Sequence, residues 1–95
     1  MDHGERLSFL GRRVPPQFQV RQIAVAPGGE RTVQEGEWAD ALVVVECGTI
    51  ELECLDGARR SFGSGDMLCL RRLRLRLLRN RGHGLVLLIA ISRRR

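Results

Sequence analysis

A chain of 95 residues, 43% apolar and 28% charged, has enough material for one hydrophobic core and too little for two. Its longest apolar run, residues 85–91, is too short to cross a bilayer, and its first residues do not open a secretory leader, so the sequence predicts a soluble cytoplasmic domain. The formal charge of +5 hides a polarity: residues 30–56 hold eight acids and one arginine, while residues 71–95 hold nine arginines and no acid.

Residues 1–17, with Pro15 and Pro16, read as an arm outside the core. Residues 18–26 are rich in Val, Ile and Phe and stop at Pro27-Gly28-Gly29, which is a strand followed by a breaker. Leu42-Val43-Val44-Val45 is a short β-branched run. In residues 49–55, Ile50, Leu52 and Cys54 alternate with glutamates, as in a strand with one buried and one wet face. Asp56-Gly57 predicts a two-residue type I′ hairpin, with residues 58–62 as the returning strand.

Gly63-Ser64-Gly65-Asp66 turns the chain into a strand at 67–70, and the arginine-leucine stretch follows. Gly82-His83-Gly84 is the next turn, residues 85–91 form the last strand, and residues 93–95 are a basic tail. Cys54 and Cys69 lie in apolar runs and read as small buried hydrophobes; with Cys47 they form no CxxC pair. Short strands at even spacing with Gly-rich turns predict an all-β sandwich or barrel without helices.

GTIELECLDGARRSFGSGDMLCL, residues 48–70, resembles the central hairpin of the cupin superfamily of small jelly-roll barrels, and the likeness extends over 18–92. The first cupin motif, laid on Gly29, puts Glu35 and Glu37 at its two histidines, Ala41 at its glutamate and Gly48 at its last glycine. The second, laid on Gly65, puts Arg71 at the proline, Leu73 at the glycine, Arg76 at the histidine and Asn80 at the asparagine. The skeleton residues match, whereas all four metal-holding positions differ. The resemblance implies a single-domain jelly-roll β-barrel of short antiparallel strands with no metal and no cofactor. By the same token Glu35, Glu37, Trp38, Arg76 and Asn80 become the candidates for lining a ligand pocket.

Chemistry narrows the function classes. His3 and His83 fall in an arm and a turn, and a guanidinium beside two carboxylates opposes a cation, so neither replaces the missing ligands. The serines have no histidine partner at recognisable spacing. No tyrosine, one tryptophan and three phenylalanines leave few stacking surfaces, so nucleic acid is not expected as a partner. The acidic strands can answer the arginines instead.

Leu73-Arg74-Leu75-Arg76-Leu77 supports two registers. Binary patterning puts leucines inside and arginines in water. The motif spacing puts Arg76 inside, paired with Glu35 or Glu37, and leaves Arg72 and Arg79 outside. Both cannot hold in one strand without a bulge, because a one-residue slip exchanges the faces. The motif register is the expectation here. The expected function is a non-catalytic module that binds a small molecule or serves a structural or regulatory role. It is expected to be a homodimer, because residues 42–45 and 85–91 are too continuously apolar for half-exposed strands. The alternative is a metal-independent or hard-metal enzyme of the isomerase, epimerase or cyclase type, with Glu35 and Glu37 as acid and base.

Overall fold

Alternating apolar residues need a second layer to cover them, and the chain supplies it by folding into two facing antiparallel sheets. The computed structural model describes residues 14–34, 38, 40–69 and 74–93. One sheet consists, in spatial order, of β1 (Phe18–Val25), β8 (Val86–Arg93), β3 (Leu42–Cys47) and β6 (Met67–Cys69). The other consists of β2 (Glu30–Thr32), β7 (Leu75–Arg79), β4 (Thr49–Cys54) and β5 (Arg59–Gly63). The all-β jelly-roll expectation therefore holds. Among the described residues there is no helix, and none long and apolar enough to cross a membrane.

The inward faces follow the period-two pattern. Ile23, Val43, Val45, Val86, Leu88 and Ala90 from the first sheet meet Ile50, Leu52, Leu75 and Leu78 from the second, all buried in one cluster. Fully burying a leucine or isoleucine contributes about 1.5–3 kcal/mol, so this layer is the main stabilising term. The outward face of the β1-β8-β3-β6 sheet is also apolar. Its register lines up Val20, Ile91, Leu42 and Cys69 in one row and Gln22, Ile89, Val44 and Met67 in the next. Val44 and Ile89 are buried there, apart from the core cluster. Cys69 is exposed rather than buried as its apolar neighbours imply, because β6 alternates and only Leu68 faces inward.

Two further expectations need correction. The Asp56-Gly57 turn is not type I′, since among the described residues no residue other than glycine, Asp56 included, has positive φ. Instead Leu55-Asp56-Gly57 makes a three-residue loop: Gly57 N–H donates to Cys54 O, Asp56 Oδ1 accepts from Ala58 N–H, and Gly57 alone takes φ +90°. β2 was not evident from the sequence, because Glu30-Arg31-Thr32 is only three residues long and carries no apolar alternation.

The connections β1–β2, β3–β4, β5–β6 and β7–β8 gather at one end of the barrel, and two residues fix its geometry. Gly48 has φ +87°, and a Cβ there would lie 2.8 Å from Leu85 O, so only glycine fits. Asn80, 1% exposed, ties three segments together. Its Nδ2 donates to Val25 O at 2.9 Å and Gly84 O at 2.8 Å, and its Oδ1 accepts from Gly82 N–H at 3.0 Å. Its backbone exchanges hydrogen bonds with Gly28 and Gly29.

Replacing that amide leaves the buried Val25 carbonyl without its partner, at about 1–3 kcal/mol, and removes two part-buried bonds, to Gly84 O and from Gly82 N–H. Asn80→Ala is expected to lower the unfolding free energy by roughly 3 kcal/mol in equilibrium urea titrations. Asn80→Asp should cost more at neutral pH than in mild acid, because an ionised carboxylate faces two carbonyl oxygens. A change below about 1 kcal/mol for both variants contradicts this role.

Candidate functional site

The arginine-leucine strand resolves by the device that two conflicting registers require. In the β4–β7 ladder Glu53 pairs with Leu77 and Cys54 with Leu75, so Arg76 is an extra residue, a β-bulge. Leu78 and Asn80 face inward, as the motif register demands, and by simple alternation Arg76 would follow them. The bulge reverses the parity, so Leu75 is buried and Arg76 turns out to solvent with its side chain 62% exposed. The expectation that Arg76 enters the barrel is thus overturned. Arg79 lies on the outer face as expected, and Arg72 lies outside the described residues.

On that outer face the chain's two charge blocks meet. Arg79 Nε donates to Glu30 Oε2 and Nη1 to Glu51 Oε1, both at 2.8 Å, so one guanidinium bridges β2, β7 and β4. Glu53 receives Arg76 Nη1 at 2.9 Å and lies 3.3 Å from Arg59 Nε and 3.5 Å from Arg79 Nη1. Arg81 Nε is 3.2 Å from Glu51. Glu53 is only 7% exposed although it points away from the core, because the arginines roof it over. The hydrogen bond from Arg79 holds the Glu51 carboxyl below its ordinary range; burial opposes this, and the charges of Arg81, Arg79 and Arg59 add to it. The Arg79 guanidinium is raised above its usual value by its bonds to Glu30 and Glu51.

Three described arginines have inner-face registers, Arg21 opposite Ala90, Arg60 opposite Leu52 and Arg31 opposite Leu78, and of them only Arg31 is half-buried. It pairs with Leu78, which pairs with Leu52, so all three share the inner face. Its Cζ lies over the Trp38 ring, 5.3 Å from the centroid. Val33 N–H donates to the carbonyl of the bulged Arg76, which extends the β2–β7 ladder past Thr32. Trp38, 3% exposed and part of the core cluster, is held by Ala41 N–H donating to its carbonyl. Its indole N–H is buried with no hydrogen-bond partner among the described residues.

Of the sequence candidates, then, the structure puts Trp38 in the interior with Arg31, which sequence reasoning missed. Asn80 is buried with its amide donors already used, and Arg76 lies outside. Glu35 and Glu37 lie outside the described residues. The signal for Arg31 was parity, since Arg31 and Val33 share the odd numbering of Glu35 and Glu37 in the first motif. Among the described residues, no three His, Cys, Asp or Glu side chains gather as a metal site. Of the four motif positions, Ala41 offers a buried methyl group and Arg76 an outward cation, so these two do not fit a metal.

Because Arg79 touches three carboxylates at 20% exposure and Arg76 touches one at 62%, Arg79→Leu is expected to lower Tm more than Arg76→Leu. An inward Arg76 requires the opposite order. Glu51, with its folded pKa depressed, contributes stability that is present above the ordinary value of 4.5 and lost as pH falls through the lower folded value. The Tm difference between wild type and Glu51→Gln should therefore narrow in that acid window.

No protein-family model and no curated protein sequence matches this chain. Among solved structures it is similar to the Cupin_2 domain of an XRE family transcriptional regulator from Enterobacter cloacae, at 21% identity and TM-score 0.67, covering 83% of each chain. It is similar to a Cupin 2 conserved barrel domain protein from Salinispora arenicola, at 23% identity and TM-score 0.64, over 95% of this chain and 73% of that one. A third similarity is to a cupin-superfamily sugar phosphate isomerase from Silicibacter pomeroyi, at 19% identity and TM-score 0.61, over 83% of this chain and 52% of that one. Likeness at these identities speaks to architecture, and it agrees with the two-sheet barrel and its motif glycines. The chain has the cupin fold.

Proposed function

We propose that this chain is a non-catalytic cupin-fold module that binds a small molecule at the barrel end where Arg31 and Trp38 meet, and that it works as a homodimer. The observation that carries the binding role is the inward guanidinium over a buried tryptophan whose indole N–H has no partner among the described residues. A barrel needing only stability gains little from a charge on its inner face, since hydrocarbon of equal volume packs there without desolvation cost. The arrangement suits a pocket that is mostly apolar with a few convergent polar groups. The similarity to a domain of a transcriptional regulator supports a sensing or regulatory use of the same barrel.

Support for the dimer comes from the outward face of the β1-β8-β3-β6 sheet. Its two middle rows contain no charged residue; Val44 and Ile89 at the centre are already covered within the chain, while Val20 and Met67 at the row ends are 39% and 49% exposed. A two-fold pairing of an uncharged face brings no like charges together.

One native mass spectrum of protein purified without affinity resin tests both parts. The expected result is the mass of two chains with a small-molecule adduct that is lost on denaturation. A single-chain mass at micromolar concentration removes the dimer. An adduct-free protein whose Trp38 fluorescence does not respond to a small-metabolite extract removes the binding role.

A further inference from the structure

The outward face of the β1-β8-β3-β6 sheet is sealed in its middle and open on both flanks. Val44 and Ile89, paired across β3 and β8, are 0% and 1% exposed, whereas Val20 and Gln22 on one side and Met67 and Cys69 on the other are exposed. Glu46, the extra residue of the bulge in β3, follows Val44 outward by alternation and is only 2% exposed. A single layer leaves the top of an outward side chain open to water, so burial this complete requires something above it. A carboxylate that dry also requires a donor or cation beside it, and Glu46 is not without a partner. All eight described strands belong to the two sheets, and the second sheet packs on the inner side. The cover over Val44, Ile89 and Glu46 is therefore narrow and comes from outside the strands.

We infer that the occupant is the chain's own N-terminal segment, residues 1–13, which straps this face with Leu7, Phe9 and Leu10 over Val44 and Ile89 and with Arg6, Arg12 or Arg13 beside Glu46. Phe18 N–H donates to Pro15 O at 3.0 Å, a β-turn that reverses the chain just before β1 and sends the preceding residues back toward the sheet. From Phe18 to the row of Gln22, Ile89 and Val44 is about 14 Å along β1, and residues 1–13 reach about 43 Å when extended. The other segments outside the described residues lack that reach. Residues 70–73 are taken up in passing from β6 in one sheet to β7 in the other, about 10 Å away, and residues 35–37 and 39 in passing from β2 to β3. Residues 94–95 span about 7 Å, half the distance from Arg93 back to Ile89. The inference goes beyond the dimer reading and does not depend on it, since a strap within one chain leaves a second copy the flanks at Val20 and Met67.

Full-length protein with ¹³C-labelled valine, leucine and isoleucine methyl groups tests this by nuclear Overhauser spectroscopy. The methyls of Val44 and Ile89 are expected to show cross-peaks to an aromatic ring, and Phe9→Leu should abolish them while Phe18 and Phe62 remain. A soluble gadolinium chelate should relax the methyls of Val20 strongly and those of Val44 and Ile89 weakly. In the variant Leu7→Ser, Phe9→Ser, Leu10→Ser, the relaxation of Val44 and Ile89 should rise to that of Val20, while Ile50 and Leu52 in the core stay protected. Mixing labelled with unlabelled chains and filtering for contacts between them separates a strap on its own sheet from one exchanged between copies.

Absence of the ring cross-peaks in wild type overturns the inference, as does their survival in Phe9→Leu. Val44 and Ile89 methyls that stay protected in the triple variant overturn it too, and contacts found only between chains overturn the assignment to the chain's own segment. If the triple variant does not fold, the wild-type and Phe9→Leu spectra decide alone. A single-chain mass beside the expected cross-peaks removes the dimer while the strap stands, and a two-chain mass without them does the reverse.

Discussion

A strand has two faces, and β7 carries more arginine and leucine than one alternating register can sort between them. The bulge at Arg76 is the constraint on which the rest of this barrel depends. Without it, seating Leu78 and Asn80 inside would carry Arg76 in with them and push Leu75 out. With it, Leu75 and Leu78 both reach the core, and Arg76 joins Arg79 on the outer side. The carbonyl of the bulged residue accepts from Val33 N–H, so the irregularity also secures the segment that presents Arg31.

Asn80 spends both amide donors and its acceptor on three backbone partners, which closes that end of the barrel and leaves little for a ligand. The Trp38 indole N–H, beneath the Arg31 guanidinium, has no hydrogen-bond partner among the described residues. Fully matched polar groups specify the fold, whereas a buried polar group without a partner calls for a separate physical reason. The acid-rich and arginine-rich segments compensate each other across β2, β7, β4 and β5, which removes most of the apparent need for a polyanionic partner.

Much of the fold was legible because hydrophobic alternation is a direct imprint of burial. Ile50, Leu52 and Cys54 against Glu51 and Glu53 read correctly, as did the turns at Gly28 and Gly65 and the skeleton positions Gly48 and Asn80. Three features did not read, each for a physical reason. A bulge is one residue long and leaves no compositional trace, so Arg76 was put on the wrong face. β2 is held by its neighbour and by ion pairs rather than by its own propensity, so three polar residues gave no strand signal. Asp-Gly fits two loop geometries, and the extra residue that distinguishes them is set by pairing further along the strands.

The guanidinium of Arg79 reaches carboxylates on both flanking strands at once, which the single ammonium of a lysine could not do with the same fixed fork. Its grip on Glu30 fastens the outermost strand of that sheet, where three backbone pairs alone would fray. Unpaired strand edges are templates on which other chains can polymerise, and charged side chains along them are a recognised deterrent. The same ion pairs that compensate the charge of this chain therefore guard it against edge-to-edge aggregation, and high salt, by screening them, should weaken that protection.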